Sequence, residues 1–124
     1  MTNKKILVCD DDEGILDMLT FVLEDSGYNV VPEANSINVL TLIQNEQPDL
    51  LLIDLWMPVL SGDQVVKQLR ANPATSALRI IIISASTDGH KIAMEAGADA
   101  YIAKPFDIDK LINRVNDILR KGTI

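Results

Sequence analysis

The stretch Leu50-Leu51-Leu52-Ile53-Asp54 is apolar at four successive positions and then ends on an acid. Ile80-Ile81-Ile82-Ile83-Ser84 repeats the pattern with a hydroxyl at its end, and Ile6-Leu7-Val8-Cys9-Asp10 precedes both with an acid again. A strand with one wet face alternates apolar and polar residues; a short continuous apolar run suits a strand covered on both faces, as in a parallel sheet. Two weaker runs complete the set, Asn29-Val30-Val31 and Ala100-Tyr101-Ile102-Ala103. The first of these two meets Pro32, which has no N–H for a sheet ladder, and is therefore placed at an edge.

Between the runs the apolar period becomes helical. Ile15, Leu16, Leu19, Val22 and Leu23 form one stripe, and Val39, Leu40 and Ile43 a second. Val65, Val66 and Leu69 form another, and Leu111, Val115, Ile118 and Leu119 a last. A helix expected from Thr87 to Ala96 has the weakest stripe. Gly27, Gly97 and Gly122 fall where C-terminal caps belong, Ser61-Gly62-Asp63-Gln64 reads as a capping box, and Asp107 as an N-cap. No repeat, linker or low-complexity stretch interrupts the alternation, so residues 1–124 read as a single (βα)5 domain. Right-handed crossovers then give a doubly wound, five-stranded parallel sheet with helices on both faces.

Composition removes whole classes of function. With 48% hydrophobic and 23% charged residues the chain is too apolar for disorder. No apolar run approaches the roughly 18 residues of a membrane span. The start turns acidic at Asp10 before a signal-peptide core can form, so the expected compartment is the cytoplasm. One cysteine excludes an internal disulfide, and one cysteine with one histidine argues against structural zinc. The net charge of −7 divides unevenly: residues 1–62 hold eleven acids against two bases (−9), residues 63–124 seven acids against nine bases (+2). Such a chain is a poor direct binder of nucleic acid, which needs a Lys/Arg surface.

In doubly wound sheets the functional crevice lies beyond the carboxyl ends of the strands, where the winding reverses. The residues there are Asp10 and Asp11, Asp54, Ser84, and Lys104 with Pro105. If the first and third strands are neighbours, about 4.8 Å apart, three carboxylates converge. They repel unless a cation neutralises them, and a hard divalent ion, Mg²⁺ for preference, is the simple remedy. Lys104 can pair with an anion held by that metal, and Ser84 can donate a hydrogen bond to it. Metal, cation and hydroxyl around one carboxylate describe phosphoryl transfer onto that carboxylate.

At this point the sequence resembles the receiver domain of two-component response regulators. The resemblance runs from Ile6-Leu7-Val8-Cys9-Asp10-Asp11 through Asp54-Leu55-Trp56-Met57-Pro58 and Ser84-Ala85 to Lys104-Pro105-Phe106. Each motif is weak alone; all of them in order, each at a strand end, are specific. The resemblance implies the chemotaxis-regulator-like strand order 2-1-3-4-5 in a flavodoxin-like three-layer sandwich. It implies Asp54 as phosphoacceptor and Asp10 and Asp11 as the acidic pair holding Mg²⁺, with Mn²⁺ as a substitute and the Trp56 backbone carbonyl as a further ligand. Ser84 takes the place of the hydroxyl that turns toward the acyl phosphate, and Lys104 that of the lysine pairing with the phosphoryl group. The Lys104–Pro105 bond would be cis, and Tyr101 takes the place of the aromatic whose rotamer follows the hydroxyl. Trp56 and Ser86 occupy the two positions that set the phosphoryl lifetime; bulky Trp56 cannot readily orient a water, so slow autodephosphorylation is expected.

The resemblance further implies phosphorylation by a sensor histidine kinase or a histidine phosphotransfer protein. The face of the fourth helix, fifth strand and fifth helix would then signal to a downstream protein or fused output domain. The chain would be a self-modifying signalling domain rather than a turnover enzyme, as a monomer or a phosphorylation-dependent dimer. Lys91, Lys110, Arg114, Arg120 and Lys121 lie on or near that face, either as solvated surface or as a dock for an acidic patch.

Plainer readings stand beside these. Asp12 and Glu13 are helix-start acids. Cys9 is a small buried hydrophobe, and His90 a solvated surface residue. Tyr101 alone is ordinary core packing. In Leu55-Trp56-Met57-Pro58-Val59-Leu60, Leu60 is read as packed and Trp56 as exposed. A small-molecule phosphatase acting through Asp54 would carry a second acid at position 56, where tryptophan stands. A flavin phosphate would be repelled by the four consecutive acids 10–13. A phosphorylation-independent pseudo-receiver, acting as a protein-interaction module, is the alternative left.

Overall fold

The structure, a computed structural model, describes residues 4–121, the last of them by its backbone alone. The cap expected at Gly122 and the side chain of Lys121 therefore lie outside the described residues. In chain order the elements are β1 (Lys5–Cys9), α1 (Glu13–Asp25), β2 (Asn29–Glu33), α2 (Val39–Glu46, entered through a 3-10 turn at Ser36–Asn38) and β3 (Leu50–Asp54). They continue with α3 (Gly62–Ala71), β4 (Arg79–Ser84), α4 (Gly89–Ala96), β5 (Ala100–Ala103) and α5 (Ile108–Lys121).

All four strand pairings are parallel, in the order β2-β1-β3-β4-β5. Continuous apolar runs earn both faces a cover. Ile6, Val8, Leu50, Leu52, Ile81 and Ile83 point to one side and pack against Leu16, Leu19 and Leu23 of α1 and Leu111, Val115 and Leu119 of α5. Leu7, Cys9, Leu51, Ile53, Ile80 and Ile82 point to the other, against α2, α3 and α4 through Val39, Ile43, Val65, Val66, Leu69, Ala93 and Ala96. Full burial of each large aliphatic side chain stabilises by roughly 1.5–3 kcal/mol, so the two layers hold the strand ends in fixed register.

Pro32 lies inside β2 rather than beyond it, opposite Val8. The N–H of Asn29 donates to the Lys4 carbonyl and the carbonyl of Glu33 accepts the Asp10 N–H, the residues flanking β1, so the odd-numbered residues face the neighbour and the proline nitrogen faces the free edge. A missing donor costs the ladder nothing there.

Helix α4 starts at Gly89, two residues later than its pattern suggests. The Ser86 hydroxyl accepts the Asp88 N–H (3.2 Å) and the Ser86 carbonyl accepts the Gly89 N–H (3.2 Å), which closes a turn before the helix. Helix α2 ends on a left-handed Gln47 (φ 47°), a cap made without glycine. The Gln64 side chain reaches back to the Ser61 N–H (3.0 Å) at the start of α3, and Asp107 Oδ1 accepts the Asp109 N–H (2.8 Å) at the start of α5. At the opposite end of α3, Arg70 joins several segments. Its guanidinium donates to the carbonyls of Gly97 (2.8 Å) and Leu78 (2.6 Å) and pairs with Asp99 (3.0 Å), which also accepts the Ile80 N–H (2.8 Å).

Candidate functional site

The chain leaves β1, goes outward to β2, and returns across β1 to β3. The carboxyl ends of β1 and β3 are therefore adjacent at the point where the winding reverses. Asp10 follows β1 and continues its ladder by donating its N–H to the Glu33 carbonyl (3.2 Å). Asp54 is the last residue of β3. Both are buried, whereas Asp11 is exposed at the mouth. Carboxylate oxygens of Asp10, Asp11 and Asp54 all lie within 4.8 Å of one another.

Lys104 arrives from the end of β5, its N–H donating to the Ser84 carbonyl (2.8 Å) and its bond to Pro105 cis. Its Nζ sits 2.9 Å from Asp54 Oδ1 and 3.0 Å from Asp10 Oδ2. Asp10 Oδ1 meanwhile accepts the Asp12 N–H (2.9 Å).

The electrostatics follow from this geometry. Burial pushes the Asp54 pKa up; Lys104 pulls it down, while Asp10 and Asp11 push it up again, and the net direction is upward. Burial works against the charge of Lys104, but hydrogen bonds and charge from Asp54 and Asp10 outweigh it and raise its pKa. One ammonium against three carboxylates leaves a surplus of negative charge in a half-sheltered pocket. The donors are hard oxygens within reach of a single ion whose bonds are about 2.1 Å, which is the chemistry Mg²⁺ prefers. The residues present fit such an ion.

Ser84 is buried at the end of β4, and its Oγ accepts the Ser86 N–H (3.0 Å) within its own loop. The Tyr101 hydroxyl points back to the same loop, donating to the carbonyls of Ser84 (3.0 Å) and Ser86 (3.2 Å). The exposed His90 meets the Tyr101 ring edge-on, 5.6 Å between centroids. Trp56, two residues past Asp54, is 54% exposed, while Leu55 and Met57 are buried and Leu60 packs against the second core layer. Cys9 is buried with its Sγ 3.8 Å from Met57 Sδ. Burial, and then the neighbouring carboxylates, push its thiol up to about 12. Lys91, Lys110, Arg114 and Arg120 are exposed.

Three residues in or against the segment that follows β3 have no signature in the sequence pattern. Gly62 donates its N–H to the Leu55 carbonyl (2.7 Å), and a Cβ there would overlap the backbone carbonyl oxygen of Asp54. The capping box announced the helix start, yet most residues serve at that position; only the approach to Asp54 demands glycine. Val59 adopts φ 70°, a conformation β-branched residues rarely take, with its side chain 84% exposed. Buried Ser36 donates its hydroxyl to the Leu60 carbonyl (2.5 Å) and ties this loop to the turn before α2.

Known proteins are similar to this chain in sequence and in fold. The family model "Response regulator receiver domain" matches residues 6–116. The alkaline phosphatase synthesis transcriptional regulatory protein PhoP of Bacillus subtilis is 37% identical over 98% of this chain and 51% of its own length. The DNA-binding response regulator MtrA of Mycobacterium tuberculosis is 38% identical over 96% of this chain and 52% of its own. The chain thus spans about half the length of these curated relatives. Among solved structures, the Francisella response regulator 1452 receiver domain superposes with a TM-score of 0.89 at 34% identity, covering 98% of this chain and 100% of that one. The chemotaxis response regulator CheY4 of Vibrio cholerae gives 0.87 at 27% identity, covering 94% and 99%. On the matched model, these relatives and the order of its five strands, the chain belongs to the receiver domains of two-component response regulators.

Proposed function

We propose that this receiver takes a phosphoryl group on Asp54 from a phosphohistidine donor, a histidine kinase or a histidine phosphotransfer protein, in a Mg²⁺-dependent step. The observation that carries this reading is Lys104 bridging the buried carboxylates of Asp54 and Asp10, with Asp11 beside them. Asp10, Asp11, Asp54 and the Trp56 backbone carbonyl would hold the ion. When bound, the ion neutralises charge on the phosphoryl oxygens and on the acids themselves.

The remaining chemistry belongs to the chain. An Asp54 carboxylate oxygen forms the new bond to phosphorus, the donor's P–N bond breaks, and the electron pair stays with the departing imidazole, which takes up a proton. Lys104 pairs with the phosphoryl oxygens as they replace its carboxylate partner. Ser84 gives up its loop contact and donates its hydroxyl to the same group. The chain modifies itself once per transfer and is a signalling domain, not a turnover enzyme. Its output is a protein or fused domain that reads the face of α4, β5 and α5. No helix among the described residues is long and apolar enough to cross a membrane, and we place the domain in the cytoplasm.

The test is the intact mass of the purified chain after incubation with acetyl phosphate, with and without Mg²⁺, beside Asp54→Asn. A Mg²⁺-dependent gain of one phosphoryl group that Asp54→Asn lacks is expected. A folded protein that gains nothing from acetyl phosphate or from a phosphohistidine donor makes the chain a phosphorylation-independent pseudo-receiver. A gain retained in Asp54→Asn moves the acceptor to another residue.

A further inference from the structure

We infer that Gly89, the first residue of α4, is the positioning residue for Tyr101: its missing side chain is the space that lets the phenol lie under the Ser84–Ser86 loop. A Cβ built at Gly89 would stand 2.6 Å from the Tyr101 hydroxyl oxygen, 2.8 Å from Cε1 and 3.0 Å from Cζ. All three close contacts are to one ring, and carbon atoms do not approach that closely without displacement.

Nothing else asks for glycine there. The positive-φ glycines are Gly27 and Gly97, so the backbone at Gly89 is one that any residue adopts. Glycine is also among the poorest helix formers. Gly89 is nonetheless buried, with the ring of Tyr101 occupying the place its side chain would take. The exposed His90 meets the same ring edge-on. The phenol in turn shares its single proton between the Ser84 and Ser86 carbonyls, so its seat touches the backbone of the loop that carries the Ser84 hydroxyl.

The consequence for signalling rests on the phosphoacceptor reading of Asp54. A change at Ser84 reaches β5 through the Tyr101 hydroxyl, and reaches α4 because Gly89 and the ring fill one space. A side chain at position 89 expels the ring and cuts the link while leaving Asp10, Asp11, Asp54, Ser84 and Lys104 in place. The steric part of the inference is independent of phosphorylation.

The chain has two tyrosines, so 3-fluorotyrosine gives two ¹⁹F resonances. Tyr28, whose hydroxyl donates to Asn116, packs in the other core layer and serves as internal control. In the unmodified chain a neutral nitroxide in solution should broaden the Tyr101 resonance little; in Gly89→Ala it should broaden it severalfold more, with Tyr28 unchanged. With acetyl phosphate and Mg²⁺, Gly89→Ala should gain its phosphoryl mass normally yet lose the Tyr101 shift that the parent chain shows. A thermal double-mutant cycle with Tyr101→Ala guards against misfolding. Any loss of melting temperature from Gly89→Ala should vanish in the Tyr101→Ala background, where no ring competes for the space. A protected Tyr101 in Gly89→Ala, or an equal loss in both backgrounds, overturns the inference. Should the parent chain gain no phosphoryl group at all, the Asp54 reading fails while the nitroxide and melting results still decide the role of Gly89.

Discussion

Lys104 and Asp54 meet across an intervening strand: the lysine leaves β5, passes the end of β4, and places its Nζ 2.9 Å from an oxygen at the end of β3. The lysine's second arm reaches Asp10, 94 residues away in sequence, so the tertiary fold alone assembles the contact. An ammonium held this way balances part of the acidic surplus but leaves more negative charge than a buried pocket favours.

Asp54→Asn should therefore stabilise the metal-free chain near pH 7. The folded-state pKa of Asp54 lies above its ordinary value. The native state thus keeps this proton more tightly than the unfolded chain does, and stability falls as pH rises through the window between the two values. The variant lacks that slope. Thermal unfolding in chelator from pH 4 to pH 8 should show its advantage widening toward neutral pH. Added Mg²⁺ should raise the melting temperature of the parent chain more than that of the variant. A variant less stable than its parent at every pH would contradict the charge argument.

Cys9 should be inert while the chain is folded. With its thiol pushed up to about 12 from 9.0, the thiolate fraction falls roughly a thousandfold at a given pH, and burial removes access as well. Reaction with an aromatic disulfide reagent at pH 8 should be slower by at least that factor in buffer than in denaturant. Equal rates would place the sulfur at the surface.

Gly62→Ala should destabilise more than its one methyl would imply. The added Cβ meets the carbonyl oxygen of Asp54 and the Cα of Leu55, which are backbone and cannot swing aside. Overpacking of this kind costs about 1–3 kcal/mol, readable as a lower denaturation midpoint in urea. Mg²⁺ affinity should weaken with it, because the shifted backbone carries the Asp54 carboxylate.

The positions of Asp10, Asp54 and Ser84 were legible because each ends a run whose apolar pattern reveals a buried strand; Asp11 follows Asp10, and Lys104 follows a weaker, partly buried run. A doubly wound sheet gathers strand ends. The stripes at Leu16, Leu19, Leu23, Val65, Val66 and Leu69 were legible for the same reason: burial leaves a period in one dimension. Gly62, Gly89, Val59 and Ser36 were not. Gly62, Gly89 and Ser36 are set by close approaches between segments brought together by the fold, and a glycine that makes room for a carbonyl or a phenol looks in sequence like any other glycine; Val59 is set by a local backbone angle that its side chain does not announce. The start of α4 was blurred because its buried side chains are small, Ala93 and Ala96, and because Ser86 and Asp88 build a turn where the pattern already permits a helix.

Trp56 should lengthen the life of the acyl phosphate. Two residues past Asp54 and 54% exposed, it offers one indole N–H donor and no acceptor with which to orient an attacking water. Trp56→Asn places an amide there and should shorten the phosphoryl half-life severalfold, followed by intact mass after removal of acetyl phosphate. An unchanged half-life would assign control of the rate to Ser86 or to the loop as a whole.

Arg70 gives the molecule a fulcrum. Through Gly97 it grips the C-terminal end of α4, and through Leu78 and Asp99 it binds that end to both neighbouring strand entrances. The other end of α4 rests on the ring of Tyr101. On the role inferred for Gly89, a helix pinned at one end and seated on the Tyr101 ring at the other would tilt rather than slide, and a sub-ångström change beneath Gly89 would reach the surface of α4 as a rotation, largest beside the site and vanishing at the arginine.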